Sequence, residues 1–165
     1  MDRARRRGAA VLISVGALAY LADRLTKVWA EARLVDAPID VIDGVLTFRF
    51  TTNSGGAFSI GGSTPWVFVT ASVVVIGIIL ATAFRHTSLT SAVAVGLILG
   101  GALGNLTDRA IRGDGFRGRV VDFIDVHVWP IFNLADTAIV VGAMILALGS
   151  FLDGRAEERE PRDGR

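Results

Sequence analysis

Four long stretches that together hold a single charged side chain decide the solvent of this chain. Residues 8–22 carry no charge, residues 50–84 and 86–107 carry none, and residues 131–152 carry only Asp136. A bilayer core needs about 20 apolar helical residues to cross it. Each run supplies that with its flanks, the second from Pro65, a residue suited to a helix start. Of the 165 residues, 52% are hydrophobic, more than in ordinary soluble domains. The expectation is an all-α membrane protein with four transmembrane helices. Residues 1–152 form one domain, and residues 153–165 form a charged, solvated and disordered tail.

Charge and composition exclude other classes. The net charge is +1 and the 17 basic residues are scattered over termini and loops, so no basic stripe offers itself to a nucleic acid. There are no cysteines, which removes disulfides and thiolate chemistry. His86 and His127 each stand alone, without a second histidine at ligand spacing, so no metal site is expected. Arg3, Arg5, Arg6 and Arg7 before the first run fit a cleaved signal peptide too, but Asp23 and Arg24 sit where a small-residue cleavage site belongs. The first run is therefore read as a retained span.

Gly96, Gly100 and Gly104 recur every fourth residue of the third run, a face that lets helices approach closely. The basic residues orient the bundle only weakly: nine fall on the side of the termini and eight on the other. The four N-terminal arginines directly precede a span, where such charge counts most, so both termini are placed in the cytoplasm. Asp23, Asn105, Asp108, Asn133 and Asp136 then gather at the outer face. At about 1.5 Å per residue Asp136 lies roughly 8 Å inside its run. In the first outer loop, residues 45–50 alternate as a strand does, and residues 53–56 read as a tight turn. In the second, a glycine-rich charged half precedes a short ordered segment, VVDFIDVHV.

A carboxylate within a span costs several kcal/mol unless paired, solvated or protonated, which marks Asp136 as functional. Two acids held close share one proton, and such a pair activates water against a peptide carbonyl. Asp122, set among Val120, Val121, Phe123 and Ile124, is the best partner, with Asp125, Asp114 and Asp108 as competitors. Blander readings stand beside this one. Asn133 can simply cap the fourth helix, Asp108 and Arg109 can form an ion pair ending the third, and Asp23 can pair with Lys27 four residues on. A transporter using Asp136 and Arg109 is a further alternative, as is a serine peptidase using Ser54 or Ser59 with His127 or Lys27. A purely structural bundle leaves the polar convergence unexplained.

The blocks DRLTK at 23–27, NSGGAF at 53–58, GNLTDR at 104–109, VVDF at 120–123 and FNLAD at 132–136 together resemble the lipoprotein signal peptidases (signal peptidase II), over about residues 8–152. The resemblance implies an aspartyl endopeptidase of the bacterial inner membrane that removes signal peptides from diacylglyceryl-modified prolipoproteins, cutting before the lipidated cysteine. It implies Asp122 and Asp136 as catalytic residues. Asn53, Asn105, Asp108, Arg109 and Asn133 would support them, and Asp23 would brace the site. It also implies no cofactor, a monomer among membrane lipids, a small β-cradle on the outer surface and an active site at the outer leaflet. The segment from Asp108 to Asp122 is longer than is common in that family, and Gly56 replaces a frequent alanine.

Overall fold

The computed structural model describes residues 3–54, 65–82 and 88–159. Gly55 and Gly56 of the expected turn, Ala57, Phe58, Ser59, Arg85, His86 and residues 160–165 of the tail lie outside them. The elements run α1 (Arg3–Leu34), β1 (Ile39–Ile42), β2 (Leu46–Asn53), α2 (Pro65–Thr82), α3 (Leu89–Ile111), a 3-10 turn (Asp114–Phe116), β3 (Val120–Asp125) and α4 (Leu134–Arg159).

The protein is an integral membrane protein by its helices. α1, α3 and Leu134–Leu152 of α4 are each long and apolar enough to cross a bilayer. Large apolar residues such as Ile13, Leu18, Val140, Met144 and Leu148 face outward from them, which suits lipid rather than water. Of the expected second span, α2 has 18 described residues, about 27 Å of helix, of which Val69–Thr82 form the apolar stretch. Four crossing helices were expected and three among the described residues meet the requirement.

α3 sits at the centre, and its glycines set the spacing to both neighbours. A Cβ at Gly96 would lie 2.7 Å from the Leu12 carbonyl oxygen, and one at Gly100 would meet the Gly16 carbonyl oxygen and Ala19 of α1. Gly104 faces the Asp23 carboxylate, while Gly101 faces Ala135 and Ile139 of α4. The four-residue glycine face thus packs on α1, as its spacing implies. Leu12, Ile79, Ala92, Val95 and Leu99 fill the core between α1, α2 and α3. Gly100→Leu is expected to cost about 1–3 kcal/mol or more, since the added side chain must push two backbones apart. Gly77→Leu, at a position open to 4 Å, should leave the thermal unfolding midpoint in detergent unchanged. Equal midpoints for the two variants would remove close α1–α3 contact as the cause.

α1 does not stop where its charges begin. It continues for 32 residues, about 48 Å, because neither glycine nor proline occurs between Gly16 and Pro38 and its last turns have a surface to bury. Ala30 and Leu34 pack on Val121 and Phe123 of the sheet, and Trp29, Phe48 and Phe123 meet edge to face at 5.7–6.3 Å. The three strands are antiparallel in the order β1-β2-β3. The strand pattern at 45–50 is thus borne out within β2, and the ordered segment after Arg119 is β3. α4 also runs on through Arg159, so residues 153–159, expected to be disordered, are helical.

Candidate active site

Asp122 is carried by β3, whose neighbour β2 brings Asn53 alongside through the Asn53–Val120 and Thr51–Asp122 pairings. After β3 the chain doubles back. His127 adopts a left-handed φ of 60°, and the Phe132 carbonyl accepts from the Phe123 and Ile124 amides at 3.0 and 2.9 Å while the Phe132 amide returns a bond to Ile124. This short return places Asn133 beside Asp122 at the moment the chain enters α4.

Asn133 then does two things. Its Oδ1 accepts the Asp136 amide at 3.0 Å and Asp136 Oδ2 accepts the Asn133 amide at 3.4 Å, a reciprocal cap. Its Nδ2 donates to Asp122 Oδ1 at 2.6 Å and to Asn105 Oδ1 at 3.2 Å. Capping and site-building, set out above as alternatives, coexist in one residue. Asn105 of α3 closes the circuit by donating from Nδ2 to Asp136 Oδ1 at 2.7 Å. The two acids are therefore tied together through a pair of asparagines. Asp136 lies in the first turn of α4 rather than roughly 8 Å within it, because the helix begins at Leu134 and not at the start of the uncharged run.

Both acids line one cavity of about 340 Å³ with Asn53, Asn105 and Arg109, and Ala71 and Ser72 of α2 form part of its wall. Asp122 is 2% exposed. Burial first, and then the Asp136 charge, pushes its carboxyl up to about 7, against the hydrogen bonds from Asn133 and Asn53. A group that is partly protonated near neutrality beside a second acid has the makings of an acid–base pair.

The other expected residues divide. Arg109 turns into the cavity, its Nη1 donating to the Asn105 carbonyl at 3.3 Å. Asp108, about 100° round the helix, faces α1 instead, so the ion pair envisaged between these two residues is replaced by others. Asp108 pairs with Arg24, with Lys27 at 3.0 Å and with Arg112 at 2.9 Å, and accepts the Val121 amide at 3.2 Å. Asp23 and Lys27 form the expected pair at 2.9 Å, and Asp23 also accepts the Ala135 amide at 3.0 Å. Asp125 is committed to Arg49 at 2.7 Å and to the His127 amide at 2.8 Å. Asp114 is exposed in the 3-10 turn. Lys27 and His127, the bases considered for a serine, are engaged by Asn105 and Thr47 respectively, each at 3.0 Å. Sequence reasoning missed the second role of Lys27 and the α2 wall. No sequence signal marked the first, because Asp108 and Asn105 reach Lys27 from α3, about 80 residues along the chain.

A family model described as signal peptidase (SPase) II matches residues 15–152. A lipoprotein signal peptidase of Streptomyces griseus is 46% identical over 142 residues, covering 85% of this chain and 72% of that protein. One of Syntrophomonas wolfei is 39% identical over 144 residues, covering 86% and 93%. A bacterial membrane enzyme solved by the in meso method shares the fold with a TM-score of 0.78 at 24% identity, over 94% of this chain and 95% of its own.

Proposed function

Because the chain belongs to the signal peptidase II family and is thus a membrane protease, we propose that it removes signal peptides from diacylglyceryl-modified prolipoproteins by an aspartyl mechanism, cutting before the lipidated cysteine. The observation that carries this reading is the joint lining of one cavity by Asp122 and Asp136, linked through Asn133 and Asn105.

Asp136 sits at the amino end of α4, where a helix favours negative charge, and serves as the base. It takes a proton from a water whose oxygen attacks the scissile carbonyl carbon, while Asp122 gives its proton to the carbonyl oxygen. As the tetrahedral species collapses, Asp136 passes its proton to the departing amine and Asp122 recovers one from the hydroxyl. Asn105 and Asn133 hold the two carboxyls in register, with Asn53 beside Asp122. Arg109 lines the same cavity, where its charge would favour the electron density that builds on the carbonyl oxygen before Asp122 delivers its proton.

On this reading α2 completes a set of four spans, both termini are cytoplasmic and the cradle of β1–β3 lies on the outer face of the bacterial inner membrane. The N-terminal arginines support that orientation. The precursor enters sideways from lipid, and the enzyme acts as a monomer with water as its only co-reactant. Purified protein in sealed vesicles should cleave a precursor carrying a diacylglyceryl cysteine and leave the unmodified precursor intact. It should do so only with the cleavage site presented at the face opposite the termini. Equal processing of both precursors, or processing from the terminal side, would overturn the reading.

A further inference from the structure

The charged residues beneath the cavity show a pattern that neither acid pairing nor capping explains. Asp23 Oδ1 accepts the amide of Ala135, the residue immediately before Asp136. Asp108 Oδ2 accepts the amide of Val121, the residue immediately before Asp122. These two carboxylates come from different helices, and one ammonium joins them: Lys27 Nζ lies 2.9 Å from Asp23 Oδ2 and 3.0 Å from Asp108 Oδ2. The same nitrogen donates to Asn105 Oδ1 at 3.0 Å, and Asn105 in turn donates to Asp136. Lys27, Asp23 and Asp108 are each 0% exposed.

Removing a lysine fully from water is costly, and an ion pair alone does not justify it, since apolar residues often hold a core as well or better. A surface pair would also have tied α1 to α3, as Arg112 and Glu31 do at the rim. What burial adds is a fixed point with three short arms. A point charge at the centre lets a shift in any of α1, α3, α4 or β3 be resisted by the others.

We infer that Lys27 is a positioning residue for the reaction: through Asp23 and Asp108 its ammonium sets the backbone just before each proposed catalytic acid, and through Asn105 it sets the Asp136 carboxylate. The inference rests on the aspartyl reading above. Lys27 does not line the cavity and acts only through these partners.

The test uses full-length Lys27→Met and the double variant Lys27→Met/Asp23→Asn, which restores charge balance and keeps an oxygen for the Ala135 amide. For Lys27→Met, kcat should fall about 10²-fold with KM within about twofold of the parent, since displacement of the reacting groups is felt in the chemical step. The alkaline limb of kcat/KM should also move to higher pH. Asp122 is faced by Asp136 of α4, Asn133, Asn53 of β2, Arg109 of α3 and Lys27 of α1, and removing the Lys27 charge removes one influence favouring its anion.

The double variant should regain the thermal midpoint without regaining kcat. Either variant, folded and with kcat within about threefold of the parent, overturns the inference, as does a loss carried by KM alone. A double variant that does not fold overturns it too, because Lys27 would then be needed for structure. Failure of the aspartyl reading shows elsewhere, as full activity in Asp122→Asn, so the two failures are distinguishable.

Discussion

Asp136→Asn, and separately Asp122→Asn, lower the turnover of a lipidated precursor about 10³-fold or more, the scale expected when a shared-proton acid pair loses one member. Asparagine is chosen because it preserves shape. At 136 its Oδ1 still accepts from Asn105, and at 122 it still accepts from Asn133, so the bonds at 2.7 and 2.6 Å persist. What is lost is a proton that can be taken and returned. Precursor binding should therefore be nearly unchanged, which co-purification of the uncleaved precursor with each variant checks. Either variant retaining more than about a tenth of the parental rate would show that its carboxyl is not part of the reacting pair.

The same substitution at 122 is expected to raise stability in alkali. Burial holds the folded-state carboxyl near 7, against 3.8 for an unperturbed aspartate. Below about pH 3.8 both the folded and the unfolded chain carry the proton, and ionisation costs the fold nothing. As pH rises from there toward 7 the unfolded chain ionises first, so the folded state binds more protons and its stability falls. Above about 7 the whole penalty is in place, on the order of 4 kcal/mol at most. An asparagine side chain has nothing to ionise. The apparent thermal midpoint of Asp122→Asn should therefore exceed that of the parent at about pH 8.5, with the gap shrinking toward about pH 4. A pH-independent gap would mean that Asp122 is not held protonated by its surroundings. The two results together describe one residue that weakens the fold and is kept for chemistry, a familiar trade at active sites.

Much of this site was legible because ionisable groups in apolar surroundings are rare enough to read singly. Asp136 in an otherwise uncharged run and Asp122 between valines and phenylalanine stand out by solvation cost alone, and the structure puts both on one cavity. The glycine spacing in α3 was legible for a similar reason, since close helix contact leaves a periodic mark. The direction taken by neighbouring charges was not. Asp108 and Arg109 adjoin in sequence yet point to α1 and to the cavity, a choice set by Lys27 and Arg24 about 80 residues away along the chain. The length of α1 was hidden likewise. Asp23, Arg24 and Lys27 look like the end of a span until Asp108 is brought over to satisfy two of them. β1 is a four-residue strand exposed along its whole length, and such a strand is recognisable only once β2 lies against it.

Asn133 and Asp136 sit at the very start of the last helix, while Asp23 and Lys27 belong to the first. A chain emerging from the ribosome therefore carries Asp23, Lys27, Asn105, Asp108 and Asp122 before it carries the second acid, and the final helix delivers that acid together with the asparagine bonded to both. The two carboxyls line one cavity only once that helix is in place.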